Sequence, residues 1–376
     1  MSPPFPMTRA AGLEALAAFL AGPGAAYTAA RNTDRGPGAT PTTSALSPYL
    51  RRRLLTEDEV ARAAQRAFGP AGAAAFVSEV FWRTYFKGHL ETHPGAWTAY
   101  RDGLAAARAR LSAEPGLRRT YEQAAAGRTG LDGFDAWASH LTQEGWLHNH
   151  ARMWFASIWI FTLRLPWELG ADLFLRHLLD GDPASNTLSW RWVAGLHTRG
   201  KPYRARRDNI RHYTDGRHDP AGLDETAAPL EEAMPPREVP LAPADSPPDG
   251  AVALLLHLDD LHPESLPLGP AGVARIGGLL AHAEGAVDQV RAADAAALAD
   301  ALARAEAHFG CPAAPVHDGW AGALPVVTPW APVGPSAEAL PPGCLRVRRS
   351  WDSRAWPLAT RGFFRLRSAI PDLMGA

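Results

Sequence analysis

The chain has 376 residues, enough to bury a sizeable core and to hold about two domains. Its formal charge is −1 and its only cysteines are Cys311 and Cys344, which excludes a disulfide framework and a four-thiolate iron–sulfur cluster and fits a reducing cytoplasm. The charge is unevenly spread. Residues 1–217 carry 27 Lys and Arg against 19 Asp and Glu, and residues 218–376 carry 11 against 20, so the first part is the one suited to a polyanion.

In chain order, the start MSPPFPMTRA lacks a basic stretch followed by an apolar run and is not a signal peptide. Residues 9 to about 30 read as an amphipathic helix closed by Gly-Pro-Gly, followed by a Gly/Thr/Pro-rich loop. From Pro48 to about Ile210, Leu, Ala, Phe and Trp recur at three and four residues, with no period-two alternation. Thr56 and Glu59 form a capping box there. Within this stretch WFASIWIFTLRL, Trp154 to Leu165, is too short to span a bilayer and reads as a buried helix; no membrane association is expected. Residues 218–249, rich in Pro and acids, read as a linker or an extended wrapping segment. AVALLLHL then suits a buried strand. Helical patterns are expected around 270–284 and 293–309, a second strand at ALPVVTPW, a helix start at PSAEAL, a third strand at CLRVRRSW, and a helical or extended tail. The expected fold class is therefore mainly α: an all-helical domain over 1–217, a Pro/acidic linker over 218–249, and a small α/β domain over 250–376.

Phosphate-binding P-loop, zinc-protease, CxxC and GxSxG signatures are all missing, and no metal site is expected. Chemistry would then come from a cofactor bound without those motifs. The densest stretch runs from Gly145 to Gly195. A helix carries His148, Asn149, His150 and Arg152, a Trp-rich helix follows, and then the turn DGDPASN supplies Asp180, Asp182 and Asn186. Singly, Asp182 reads as a helix cap, Arg152 as a surface charge and Asn186 as a turn residue. Their joint occurrence argues for a site.

This stretch resembles the FAD-binding domain of DNA photolyases and cryptochromes, with its WxHNRxRM segment followed by DGDxAxNxxxWxW. TSALSPYL, Thr43 to Leu50, matches that family's phosphate-binding segment, and EVFWRTYFKGHLETHP matches its ExxWR helix. The similarity covers about residues 27–217. It implies that Tyr27, Thr43, Ser44, Leu46 and Ser47 bind FAD, the last four around its pyrophosphate, and that Arg83 and Asn149 lie near the flavin. It implies a buried Arg152–Asp180 ion pair beside the isoalloxazine, Asp182 on the adenine and ribose side, and Asn186 facing flavin N5. On the substrate side it implies that Glu79 and Trp82 grip a cyclobutane pyrimidine dimer, with Trp192 as second wall and Asn149 and Met153 on the rim. Relatives specific for (6-4) lesions place His where Asn149 and Met153 stand. Trp190 and Trp167 match the inner and middle electron donors. The outer tryptophan is missing, with Trp154, Trp159, Tyr100 and Tyr121 as candidates to replace it. DNA phosphates would meet Arg51, Arg52, Arg53, Lys201, Arg204, Arg206 and Arg207; His150 stands where the family carries an Arg. The implied function is light-dependent repair of pyrimidine dimers in DNA, with a cryptochrome-like photoreceptor as the alternative. Family members open with an antenna-binding α/β domain, whereas here the α/β segment comes last. It is expected to replace that domain, to cover the flavin domain's flank or to mediate assembly, and no antenna signature is legible.

Overall fold

A computed structural model describes residues 5–39, 41–232 and 238–375. The chain divides into two units, one made of Met1–Ala21, Ala45–Pro94 and Glu238–Ala376, the other of Gly22–Ser44 and Gly95–Arg237. This differs from the expected succession of 1–217, 218–249 and 250–376, because residues 45–94 are bound by helix packing and buried ion pairs to residues after 238. The Pro/acidic stretch has neither helix nor strand among its described residues. It wraps rather than dangles: Leu230 N donates to Ala194 O, and Val239 N donates to Thr92 O.

The first unit holds a five-stranded sheet, β1 Gly250–His257, β2 Ala271–Leu279, β3 Ala313–Pro315, β4 Val326–Pro329 and β5 Leu345–Val347. All pairings are parallel, in the order β3-β2-β1-β4-β5. β1 is the central strand, with Val252 through Leu256 fully buried, as a continuous apolar run requires of a strand covered on both faces. The helix expected around 270–284 is instead β2. Its Gly277 and Gly278 explain the difference: a Cβ on Gly277 would lie 2.7 Å from Trp320, and one on Gly278 3.0 Å from Leu298 and Leu302. Consecutive strand residues face opposite sides of the sheet, so the two glycines admit large side chains on each. Leu298 and Leu302 belong to the helix Asp288–Phe309, as expected for the second Ala-rich pattern.

The helix Glu57–Thr92 of the same unit starts where the capping box puts it, with Thr56 Oγ1 accepting from Glu59 N. It bends at Gly69, whose φ is 68°, followed by Pro70. Past the bend, Phe81 lies 4.5 Å from the Trp351 ring, and Trp351 Nε1 donates to Thr84 Oγ1 at 2.9 Å.

Where β1 ends, four arginines and their carboxylates are buried together. Arg51 pairs with Asp259 at 2.6 Å, and Arg52 pairs with Asp294. Arg53 pairs with Glu57 at 2.9 Å, Asp352 at 2.7 Å and Asp260 at 3.2 Å, and Arg349 holds Asp260 through both oxygens. Burial alone would raise the Asp260 pKa, but Arg349 and Arg53 outweigh it and hold the carboxyl well below its ordinary value.

The second unit is helical throughout its described regular structure, with helices Gly95–Ala113, Pro115–Ala125, Phe134–Glu144, Asn149–Ser157, Trp167–His177, Pro183–Ala194 and Arg207–Tyr213 as its main elements. WFASIWIFTLRL is core: Trp154, Phe155, Ile158 and Trp159 are fully buried. The backbone widens there, with Leu163 N reaching Ile158 O at 2.9 Å, and leaves the helix at Arg164, whose φ is 57°. No helix among the described residues is long and apolar enough to cross a membrane.

Replacing Arg53 by Ala leaves Asp260, Asp352 and Glu57 without their shared cation in the interior. Chemical denaturation should show a loss of about 3–5 kcal/mol. A loss below ~1 kcal/mol would contradict the network as described.

Candidate functional site

In the helical unit the sequence-predicted residues gather around two helix starts. His148 caps the helix Asn149–Ser157, its Nδ1 accepting from His150 N at 3.2 Å. An accepting Nδ1 leaves the ring proton on Nε2 and the imidazole neutral. Burial agrees, lowering the His148 pKa to about 4. Burial lowers the His150 pKa as well; its Nδ1 donates to Asn32 O at 2.7 Å, and its ring stacks on Trp154. Its contacts are thus internal to the helical unit.

One turn on, Arg152 donates from Nε to Leu147 O and from Nη2 to Asp180 Oδ2, both at 2.9 Å. Asp180 is buried, while Arg152 keeps 23% of its side chain exposed. Asp182 is the buried cap of the helix Pro183–Ala194, accepting from Ser185 N at 2.7 Å; Pro183 at the first helical position costs no hydrogen bond. Asn186 follows within the first turn. Its Nδ2 donates to Ala171 O at 2.8 Å. A carbonyl demands the NH2 end of the amide, so Asn186 Oδ1 is left as the group facing away from Ala171, an acceptor for an N–H.

Trp190, one turn further, is buried, edge-on to Trp159 at 6.3 Å and to Phe174 at 5.1 Å. Gly170 makes this packing possible, since a Cβ there would fall 2.3 Å from the Trp190 ring. Two files of aromatic rings are visible. Trp159 meets Tyr121 at 5.9 Å. Trp167 meets Tyr100 at 5.7 Å, which meets Trp97 at 5.2 Å. Trp167 is also held by Glu232, which accepts from its Nε1 at 2.6 Å, and by the Arg191 guanidinium over its ring. Among the four candidate replacements for an outer donor, Trp159, Tyr121 and Tyr100 lie in these files; Trp154 instead stacks with Trp137 and His150. Trp97 was not foreseen, because nothing in its sequence surroundings separates it from other core tryptophans.

The remaining residues of this unit are more exposed. Tyr27 is buried beneath the Arg31 guanidinium, and Thr43 and Ser44 are half-buried. Asn149 is exposed, with its amide 3.8 Å from Met153 Sδ, and Trp192 is half-buried against Tyr203. Lys201, Arg206 and Arg207 are exposed; Arg206 pairs with Asp208 at 3.0 Å and Arg207 with Asp219 at 2.7 Å. Arg204 is half-buried and donates to Ala227 O, which ties it to the wrapping segment.

In the sheet-bearing unit, Leu46 is fully buried and Ser47 opens a short helix. The preceding Ala45 has φ 51° and Leu46 is right-handed, an alternation that turns successive backbone N–H groups toward one side. Ala45 was not picked out from the sequence because alanine gives no sign of a left-handed backbone. Glu79, Trp82 and Arg83 share one face of the helix Glu57–Thr92, all half-buried. Trp82 is stacked flat against Phe363, with centroids 3.8 Å apart and planes at 17°. Arg51, Arg52 and Arg53 correct an expectation. They are not a phosphate-facing surface but the buried cations described above, and none can reach DNA without breaking its ion pairs. Three adjacent arginines look identical in a sequence whether carboxylates or water await them.

Residues 76–222 match the FAD binding domain of DNA photolyase. The chain is 35% identical over 198 residues to a deoxyribodipyrimidine photo-lyase of Streptomyces griseus, covering 52% of this chain and 40% of that one. It is 32% identical over 163 residues to the Escherichia coli enzyme of the same name, covering 43% and 32%. The chain thus spans less than half the length of these relatives. Among solved structures it is similar to a bacterial class III photolyase from Agrobacterium tumefaciens, at 26% identity and TM-score 0.45, covering 55% of this chain and 44% of that one. The residues suit a bound polar cofactor. Ser185 Oγ, Thr187 Oγ1 and Trp190 Nε1, along the helix Asp182 caps, are buried with no hydrogen-bond partner among the described residues. Orphaned groups of this kind cost about 1–3 kcal/mol each unless something bound satisfies them.

Two measurements check the geometry. Replacing Asn186 by Asp sets a carboxylate against Ala171 O and should cost about 1–3 kcal/mol in denaturation at neutral pH; unchanged stability would refute the anchoring. For His148 the folded pKa of about 4 lies below the unfolded value, so the unfolded chain binds more protons between them. The stabilisation is complete above pH ~6.5 and is lost as pH falls toward 4, by on the order of 3 kcal/mol. His148→Gln should remove that share of acid sensitivity, and a pH-independent difference between variant and parent would refute it.

Proposed function

We propose, from the premise that residues 76–222 carry the FAD-binding domain of the DNA photolyase family, that the chain repairs cyclobutane pyrimidine dimers in DNA under blue light. The observation that carries this reading is the Arg152–Asp180 pair beside the helix that Asp182 caps, with Asn186 anchored on Ala171 O. FAD, when bound and reduced, supplies the electron that opens the lesion and takes it back after the ring has split. The rest falls to the chain's own residues.

Arg152 neutralises Asp180 and keeps a charge beside the ring system. Asn186 offers a neutral acceptor there, which suits an anionic reduced flavin better than a carboxylate would. In the second unit Tyr27, Thr43 and Ser44 are the proposed cofactor-binding residues, and in the first unit Leu46, Ser47 and Arg83 are. Trp190 would be the donor nearest a bound cofactor, with Trp159 in edge contact with it and Trp167 as the next donor position. Within the first unit Trp82, with Glu79 beside it, supplies a flat wall suited to a flipped base, and within the second unit Trp192, with Asn149 and Met153, offers the same chemistry. Lys201, Arg206 and Arg207 meet phosphates. The two arginines do so by exchanging exposed carboxylate partners, which water and salt already screen.

A second reading, a flavin photoreceptor without repair, is favoured by one observation. Phe363 already lies against Trp82 as a base would. A lesion must therefore use the other face of Trp82 or displace Phe363.

The deciding experiment irradiates purified, chemically reduced protein with an oligonucleotide carrying one thymine dimer and follows restored thymine. Repair is expected in blue light and not in darkness. Glu79→Ala with Trp82→Ala should lower lesion affinity at least about tenfold, the effect of losing one stacking wall, while leaving the flavin bound. Flavin retention with no repair at any lesion concentration would overturn repair in favour of the photoreceptor.

A further inference from the structure

The helix Gly362–Ser368, GFFRLRS, has two faces. The inner one is Phe363 and Leu366, both buried, with Phe363 on Trp82. The outer one is Arg361, Phe364, Arg365 and Ser368, spaced by three and four residues and all exposed, with Arg367 exposed beside them. Phe364 is 77% exposed, by far the largest value among the exposed large apolar side chains. The helix contains no acidic residue. Arg361, Arg365 and Arg367 make no ion pair and no side-chain hydrogen bond among the described residues, in a chain where most arginines do.

Water satisfies these guanidinium groups, so the cluster carries no folding penalty, but a largely exposed ring ringed by solvated arginines adds little to the core either. Their chemistry matches one occupant. Guanidinium forks bind phosphate oxygens in pairs, and a ring among them offers a stacking platform for an unpaired base. An anionic membrane would also attract the charge. Anchoring in lipid, however, needs a broad apolar face, and here Phe363, Leu366, Leu373 and Met374 are buried, leaving Phe364 alone.

We propose that this outer face is a binding surface for a DNA strand, with Arg361, Arg365 and Arg367 on its phosphates and Phe364 stacked on a base. It lies on the same short helix whose inner face covers Trp82, so a strand bound there is held next to the aromatic wall assigned to the lesion. The inference rests on the reading that the chain meets DNA, and adds a contact region remote in sequence from Lys201, Arg206 and Arg207.

The test uses the full chain and lesion-free, fluorescently labelled oligothymidine, with binding followed by anisotropy over a range of salt. The Arg361→Gln/Arg365→Gln/Arg367→Gln variant should bind at least about tenfold more weakly at low salt. Its slope of log affinity against log salt should flatten by about 2, as three lost single-strand phosphate contacts require. Phe364→Ala should weaken binding by about five- to a hundredfold with the salt slope unchanged. Both variants should keep the parent's melting temperature and flavin absorbance, since the residues are exposed. Unchanged affinity in both overturns the proposal. So does a parent chain that binds vesicles of phosphatidylserine in phosphatidylcholine but not the oligonucleotide. Light-dependent repair by the parent, measured in parallel, separates the two levels: repair intact with variants binding as the parent does removes only this surface, whereas absent repair with the variants weakened removes only the repair reading.

Discussion

The buried arginines at the end of β1 are the constraint on which the rest of the first unit depends. Arg51, Arg52, Arg53 and Arg349 sit among Asp259, Asp260, Asp294, Glu57 and Asp352 with almost no solvent. Charges buried at this density are tolerable only if each finds its partners. That requirement fixes the register of the segment 45–94 against the sheet, and with it the helix that carries Glu79, Trp82 and Arg83. In parallel sheets of this order, the carboxyl ends of β1 and β4 are where ligands ordinarily bind. Here Arg51 and Arg53 reach the residues that follow β1, so the crevice is used for assembly of the chain with itself.

The second unit solves a different problem. It must hold polar groups in an aromatic interior. It does so with caps and anchors: His148 on His150 N, Asp182 on Ser185 N, Asn186 on Ala171 O, and Arg152 on both Leu147 O and Asp180. Each fixes a side chain by a bond to the backbone. The close approach of Trp190 over Gly170 fixes the indole ring along the same helix as Asn186.

How much of this was legible in the sequence depends on whether the signal was local. The capping box at Thr56 and Glu59 and the turn at Asp182 are written within four residues, and both form as read. β1 and β4 announce themselves by short apolar runs. β2 does not, because its Ala and Gly content imitates a weak helix, and only the bulk of Trp320, Leu298 and Leu302 on either side explains it. The burial of Arg51–Arg53 depends on aspartates more than 200 residues away, beyond any local pattern. Phe363 on Trp82 is the same kind of case: the tail read as basic and apolar, and its partner is fixed only by the fold.

The central claim is that the helical unit holds FAD through Arg152, Asp180 and Asn186. The most direct measurement is the flavin content of the purified chain, released by denaturation and identified by mass, for the parent and for Asp180→Ala. The account predicts close to one FAD per parent chain and little or none in the variant, with the variant still folded by circular dichroism. A colourless parent, or a variant that retains its flavin in full, would contradict it.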